Sequence, residues 1–219
     1  TREYQVAQFT KGVDLPLPAL HQRHAKYISE ILVQAWHSLL KEHGSLLYEV
    51  PERELNALME SELDQMRTCI PQWAQLVCCV TRGKETINFE GSSLENRPDL
   101  SLHLTSRVSR MPLAIECKLI DHSNQKGVDL YCDNGIVRFL EGQYSWYALE
   151  SFMLAYVRDK STIQTTLTPL LRTHTEKNPD PYLTELLPVT VKGLTQDIGI
   201  SKHGRVFRGN PGTITLWHL

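Results

Sequence analysis

Pro112-Leu113-Ala114-Ile115-Glu116-Cys117-Lys118-Leu119-Ile120 is the stretch on which the reading of this chain turns. Successive side chains on a strand point to opposite faces. As a strand, 112–120 sets Glu116 and Lys118 on one face and Leu113, Ile115, Cys117 and Leu119 on the other. An earlier stretch, Arg97-Pro98-Asp99-Leu100-Ser101-Leu102-His103-Leu104, alternates in the same way, with Asp99 and Ser101 opposing Leu100, Leu102 and Leu104. A charge set into an apolar strand costs several kcal/mol unless something compensates it. Side by side, the two strands bring Asp99 next to Glu116 and Lys118, and a divalent metal is the natural partner for the two carboxylates.

Hard oxygen donors such as Asp99 and Glu116 suit Mg²⁺ or Mn²⁺. Such an ion polarises a phosphoryl oxygen and acidifies water. Lys118 then either orients the water or neutralises charge gathering in the transition state. Residue type does not decide between those two roles.

Pro98-Asp99 followed by Glu116-Cys117-Lys118, with sixteen residues between the two carboxylates, resembles the PD-(D/E)xK phosphodiesterase superfamily, the restriction-endonuclease-like nucleases. The resemblance covers about 52–156 and extends to the final strands. It implies an α/β restriction-endonuclease-like core, αβββαβ, with a mixed central sheet flanked by helices and an added N-terminal helix. It implies a Mg²⁺- or Mn²⁺-dependent nuclease in which Asp99 and Glu116 hold the metal and Lys118 completes the catalytic centre. Such nucleases often add an acidic residue from the helix before the sheet. Glu30 and Glu54 fall off the apolar faces of their helices, and Glu62 lies a turn before its helix ends. Glu52, on the edge of a buried face, is therefore the favoured fourth catalytic residue. Its alternative role is a first-turn charge that complements the helix dipole.

Outward from these strands, the apolar spacing predicts helices at 20–42, stopped by Gly44, and at 52–68, opened by Pro51. Residues 1–19 read as extended, 73–81 as a strand, and Gly91, Ser92 and Ser93 as part of a polar loop. A loop at 121–135 is expected to lead into one long amphipathic helix over 137–158. A short helix at 160–176 and strands at 187–192, 204–207 and 213–218 complete the reading. Two units follow: 1–50, an N-terminal extension and helix packed on the core, and 51–219, the nuclease-like core.

Gly135-Ile136-Val137-Arg138-Phe139-Leu140-Glu141-Gly142-Gln143-Tyr144 resembles a segment of bacterial restriction-endonuclease-like proteins, including some from phage-defence loci. It nominates Arg138, Gln143 and Tyr144 as substrate-binding residues, with Arg138 near a helix N-terminus. The plainer alternatives are a solvated Arg138 and a core Tyr144. His218, between apolar neighbours, reads as structural, and the basic residues of the loops, Arg107, Arg110, Arg158 and Arg205 among them, as solubilising or phosphate-tracking.

The 219 residues carry 41% hydrophobic side chains and a net charge of −2, which excludes global disorder and a broad basic surface. Nucleic-acid binding must then be local, helped by the charge of the metal. Five cysteines without paired spacing read as reduced, small buried hydrophobes rather than a zinc site. No apolar run approaches the roughly 18 residues of a membrane span, no signal peptide is visible, and Thr1 stands as it would after loss of an initiator Met. The expectation is a cytoplasmic protein with no membrane partner. Its expected substrate is DNA ahead of RNA. A homodimer, an ATPase or helicase partner and a setting in anti-phage defence are further expectations. The alternative from another class is a catalytically inactive nuclease-fold binding or scaffold subunit.

Overall fold

The two apolar stretches that carry Asp99 and Glu116 are strands, and they lie side by side. The computed structural model describes residues 2–90, 96–194 and 197–219. The loop expected around Gly91, Ser92 and Ser93 falls outside the described residues. In chain order the helices are α1 (Arg2–Thr10), α2 (Gln22–His43), α3 (Glu52–Cys69), α4 (Pro71–Leu76), α5 (Val128–Tyr131), α6 (Val137–Leu140) and α7 (Thr168–Thr175). The strands are β1 (Val77–Arg82), β2 (Leu100–Leu104), β3 (Leu113–Ile120), β4 (Glu150–Val157), β5 (Thr184–Thr190), β6 (Gly199–His203) and β7 (Ile214–His218). They form one seven-stranded mixed sheet in the order β1-β2-β3-β4-β7-β6-β5. β3, β4 and β7 are parallel at its centre, and antiparallel strands flank them on both sides. The protein is α/β, with helices on both faces.

Strand alternation decides which cover each face receives. Leu113, Ile115, Cys117 and Leu119 pack with Ile28, Leu32 and Ala35 of α2 and Leu55, Met59 and Leu63 of α3. Ala114 and Ile120 point the other way, into a cluster with Ile136, Phe139, Tyr144 and Leu171. Each large side chain so buried contributes about 1.5–3 kcal/mol. α2 and α3 form where the apolar spacing placed them. Gly44, at φ +54, ends α2 while its N–H donates to Leu40 O, a turn that a side chain would strain.

The long helix expected over 137–158 does not exist. A helical run spans α5, a π-helical turn at Cys132–Ile136 and α6, and it ends at Leu140. Gly142, at φ +67, turns the chain, and Glu150–Val157 becomes the central strand β4. Buried on both faces, its Phe152-Met153-Leu154-Ala155-Tyr156 run satisfies helical spacing and strand packing alike, so periodicity could not separate them. The helical run from α5 to α6 replaces much of the loop expected at 121–135.

Other departures are smaller. Residues 2–10 are helix α1 rather than extended chain, because Val6 and Phe9 find cover on a satellite cluster with Trp146 and Tyr147. Pro71 opens α4, so the strand expected at 73–81 begins at Val77. The strand expected at 187–192 is β5, and the one at 204–207 lies earlier, as β6. No helix among the described residues is long and apolar enough to cross a membrane.

Candidate functional site

β2 pairs with β3 only where Leu100–Leu102 face Ile115–Leu113. β4 pairs with the opposite edge of β3 as far as Ile120. β2 begins only at Leu100, and Pro98 just before it has no N–H with which to extend the ladder, so the β2-facing edge of β3 is left open from Glu116 onward. Two carboxylates fill the gap. Asp99 Oδ2 accepts from Cys117 N at 2.8 Å, and Glu52 Oε2 accepts from Leu119 N at 2.6 Å. Side chains thus replace the missing strand, which fixes them at one point on the open edge.

Lys118 reaches that point from β3. Its Nζ lies 2.6 Å from Glu116 Oε1, 3.6 Å from Asp99 Oδ2 and 3.9 Å from Glu52 Oε1. The four residues nominated from sequence therefore meet at one place, three carboxylates converging on the Lys118 ammonium. Glu116 is the most enclosed of them: its side chain has no exposure, and Arg138 and Tyr144 also hold it. Arg138 places a guanidinium nitrogen 3.2 Å from Oε1, and the Tyr144 hydroxyl donates to Oε2. Gly135, in the π-helical turn, packs on the stem of Glu116, where an added Cβ would stand 3.7 Å from Cγ.

Burial pushes the Glu116 carboxyl up to about 7, and the neighbouring Asp99 charge adds to this against the pull of Lys118 and Arg138. For Lys118, burial works downward, but Glu116, Asp99 and Glu52 outweigh it and hold the ammonium above its usual range. Burial and the Glu116 charge keep the Tyr144 hydroxyl protonated, which makes it a donor. The site is short of positive charge around a buried carboxylate.

That shortage bears on the expected metal. The donor set is hard carboxylate oxygen, and a cation already stands where three carboxylates meet. Among the described residues no group of three or more His, Cys, Asp or Glu is gathered as a metal cage. Mg²⁺ is usually held by one or two carboxylates and water rather than by an all-protein cage, a donor chemistry that Asp99 and Glu116 would supply. Glu52 is the remaining oxygen source.

The three nominated substrate-binding residues divide. Arg138 joins the cluster, but from the last turn of the helical run that begins at Val128, not from the N-terminus of a helix. Tyr144 is buried and engaged with Glu116, so it positions a carboxylate rather than facing a substrate. Gln143 stands apart, with its amide donating to Glu141 at 2.9 Å. Glu30 and Glu54 are exposed, as their helical positions required.

Sequence reasoning missed Asn56 and Tyr156. Asn56 is a buried polar residue one turn beyond Glu52 on α3, and a polar side chain inside an apolar stripe was the available signal. The basic residues were also misread in part. Arg107 forms a buried pair with Glu150, Arg205 donates to Ser145 O and Ala148 O, Arg110 to Phe9 O, and Arg158 to Leu47 O. These four fasten loops and chain segments instead of lining a phosphate track. Cys117 and Cys132 are the buried cysteines, whereas Cys69 and Cys78 are exposed. His218 is structural: it is buried between Tyr131 and Ser201. A hollow of about 280 Å³ near Trp36, Tyr131 and His218 is lined by none of the four converging residues.

No family model, no curated protein and no solved structure matches the chain.

Proposed function

We propose that the protein is a Mg²⁺- or Mn²⁺-dependent nuclease of the PD-(D/E)xK type that hydrolyses phosphodiester bonds, with DNA ahead of RNA as substrate. The observation that carries this reading is the convergence of Glu52, Asp99 and Glu116 on Lys118 at the open edge of β3. The element order, a helix (α3), three strands (β1–β3), a helical run and a strand (β4), supports a restriction-endonuclease-like core.

Asp99 and Glu116 would hold the cation, and Glu52 would hold it or the attacking water. When bound, the ion lowers the pKa of water and draws charge from the phosphoryl oxygen. Lys118 offers three N–H donors beside those carboxylates, suited to orienting the water or to meeting charge on the phosphoryl oxygens. The Arg138 side chain is 37% exposed, so its guanidinium can leave Glu116 and pair with a phosphate. The water oxygen bonds to phosphorus and gives up a proton as the ester P–O bond breaks, and the leaving oxygen takes up a proton, so that none is gained or lost overall. Tyr144 keeps Glu116 oriented throughout.

One observation favours a second reading, a nuclease-fold subunit that binds without chemistry: the Lys118 ammonium already stands among the three carboxylates, and the described residues hold no ready metal cage. A supercoiled-plasmid nicking assay with Mg²⁺ or Mn²⁺ separates the two. Cation-dependent nicking that disappears in Lys118→Ala and Asp99→Asn supports the nuclease. Equal outcomes for wild type and variants refute it. The products, whether nicked, linear or degraded, also report whether the protein acts as a homodimer that cuts both strands.

A further inference from the structure

Asp99 is held from two directions, and only one of them is the strand. Asn56 Nδ2 donates to Asp99 Oδ1 at 3.0 Å, while Cys117 N donates to Oδ2 at 2.8 Å. Asn56 is itself held. The Tyr156 hydroxyl, projecting from β4, donates to Asn56 Oδ1 at 2.9 Å.

The order of donors is chemically determined. A carboxylate needs a donor, so the amide must turn its nitrogen to Asp99 and its oxygen to Tyr156. A flipped amide would set its oxygen against a carboxylate oxygen. Only a hydroxyl proton at Tyr156 locks the productive orientation, and Tyr156 is in turn fixed by its ring, 5.1 Å from that of Trp36. Asn56 and Tyr156 are both buried, so water cannot substitute for either contact.

We propose that Asn56 and Tyr156 are positioning residues that set the angle at which Asp99 presents its carboxylate, and thereby the affinity of the site for a divalent cation. The proposal rests on reading the cluster as a cation site. Partners that orient a metal ligand typically contribute ten- to hundredfold in affinity. A packing role alone would alter stability and leave cation affinity untouched.

Calorimetric titration of Mn²⁺ into the whole protein tests this independently of cleavage. Tyr156→Phe keeps the ring and removes the hydroxyl; Asn56→Ala removes the donor. Mn²⁺ affinity should fall by about tenfold in the first and by ten- to hundredfold in the second. The Mg²⁺ concentration for half-maximal plasmid nicking should rise by the same factor, with KM for DNA unchanged at saturating cation. If Asn56→Ala does not fold, Tyr156→Phe carries the test. Wild-type protein that binds Mn²⁺ but cuts nothing removes the nuclease reading, and the affinity comparison still decides this one. Unchanged affinity in the folded variants, with or without a lowered melting temperature, overturns the proposal. So does a wild type that binds no Mn²⁺.

Discussion

Lys118 Nζ stands 2.6 Å from Glu116 Oε1, and the two side chains are 12% and 0% exposed. They belong to one strand, two residues apart, so alternation alone turns both to the same face. Replacing Lys118 by Met keeps the stem and removes the charge. It takes from Glu116 its nearest cation, and the loss drives the buried carboxyl further towards its protonated form. We expect plasmid nicking to fall by about 10²- to 10³-fold, the usual loss on removing one electrostatic stabiliser. Circular dichroism should show the fold retained. Nicking at the wild-type rate would show that the lysine takes no part in the chemistry.

His218 and His203 give the protein an acid limit. They sit in one buried chain: Tyr131 OH meets His218 Nδ1 at 2.7 Å, Ser201 Oγ bridges the two imidazoles, and His203 Nδ1 meets Tyr182 O at 2.8 Å. The carbonyl accepts, so His203 carries its proton on Nδ1, and each later donor in the chain follows. Burial lowers both imidazoles, His203 to about 4 and His218, with a further push from His203, to about 3. Unfolded histidines take a proton near 6.5. Below that pH the unfolded state binds more protons than the native one, so stability is full above about 6.5 and falls as pH drops towards 4 and 3. Each histidine contributes up to about 1.4 kcal/mol per pH unit in that window. Urea midpoints at pH 7.5 and 5.0 should differ accordingly, and His218→Gln should flatten the difference. Identical slopes in variant and wild type would count against a buried neutral pair.

Arg107 and Glu150 form an enclosed ion pair, with side chains 7% and 6% exposed. Glu150 also accepts from Leu20 N at 3.1 Å, and Arg107 donates to Pro18 O at 3.3 Å. The pair ties the segment before α2 to the start of β4. Arg107→Met strands a buried carboxylate and should cost about 3–5 kcal/mol. Arg107→Met combined with Glu150→Met should recover part of that loss. Denaturant melts of the single and double variants measure it, and additive losses would argue against coupling.

Gly135 marks where the π-helical turn approaches the sheet. A Cβ there would stand 2.5 Å from Met153 Cε, a flexible methyl group that is itself fully buried. Gly135→Ala should cost about 1–3 kcal/mol through overpacking. Met153→Ala should relieve the clash, so the double variant should lose less than the two single losses combined. Thermal melts report the outcome, and no loss in Gly135→Ala would mean that the turn has room to yield.

By itself, the amino-acid order determined α2, α3, β2 and β3, because their apolar residues recur at the period of the element they form. It also determined which charges share a face of β3, since alternation is a local property of strands. Glu52 was legible from its place on the edge of a helical stripe. Tertiary structure decided the rest. Whether 150–157 was helix or strand depended on cover from both sides, which no local period records. α1 exists because Phe9 meets Trp146, a contact 137 positions away in the chain. The convergence on Lys118 required the β2–β3 ladder to end at Leu100 so that two carboxylates could take over the open edge of β3. The hold of Asn56 on Asp99 needed a helix, a loop and a central strand to meet. Periodicity is written residue by residue, whereas burial and hydrogen-bond partners arise only when distant segments close on one another.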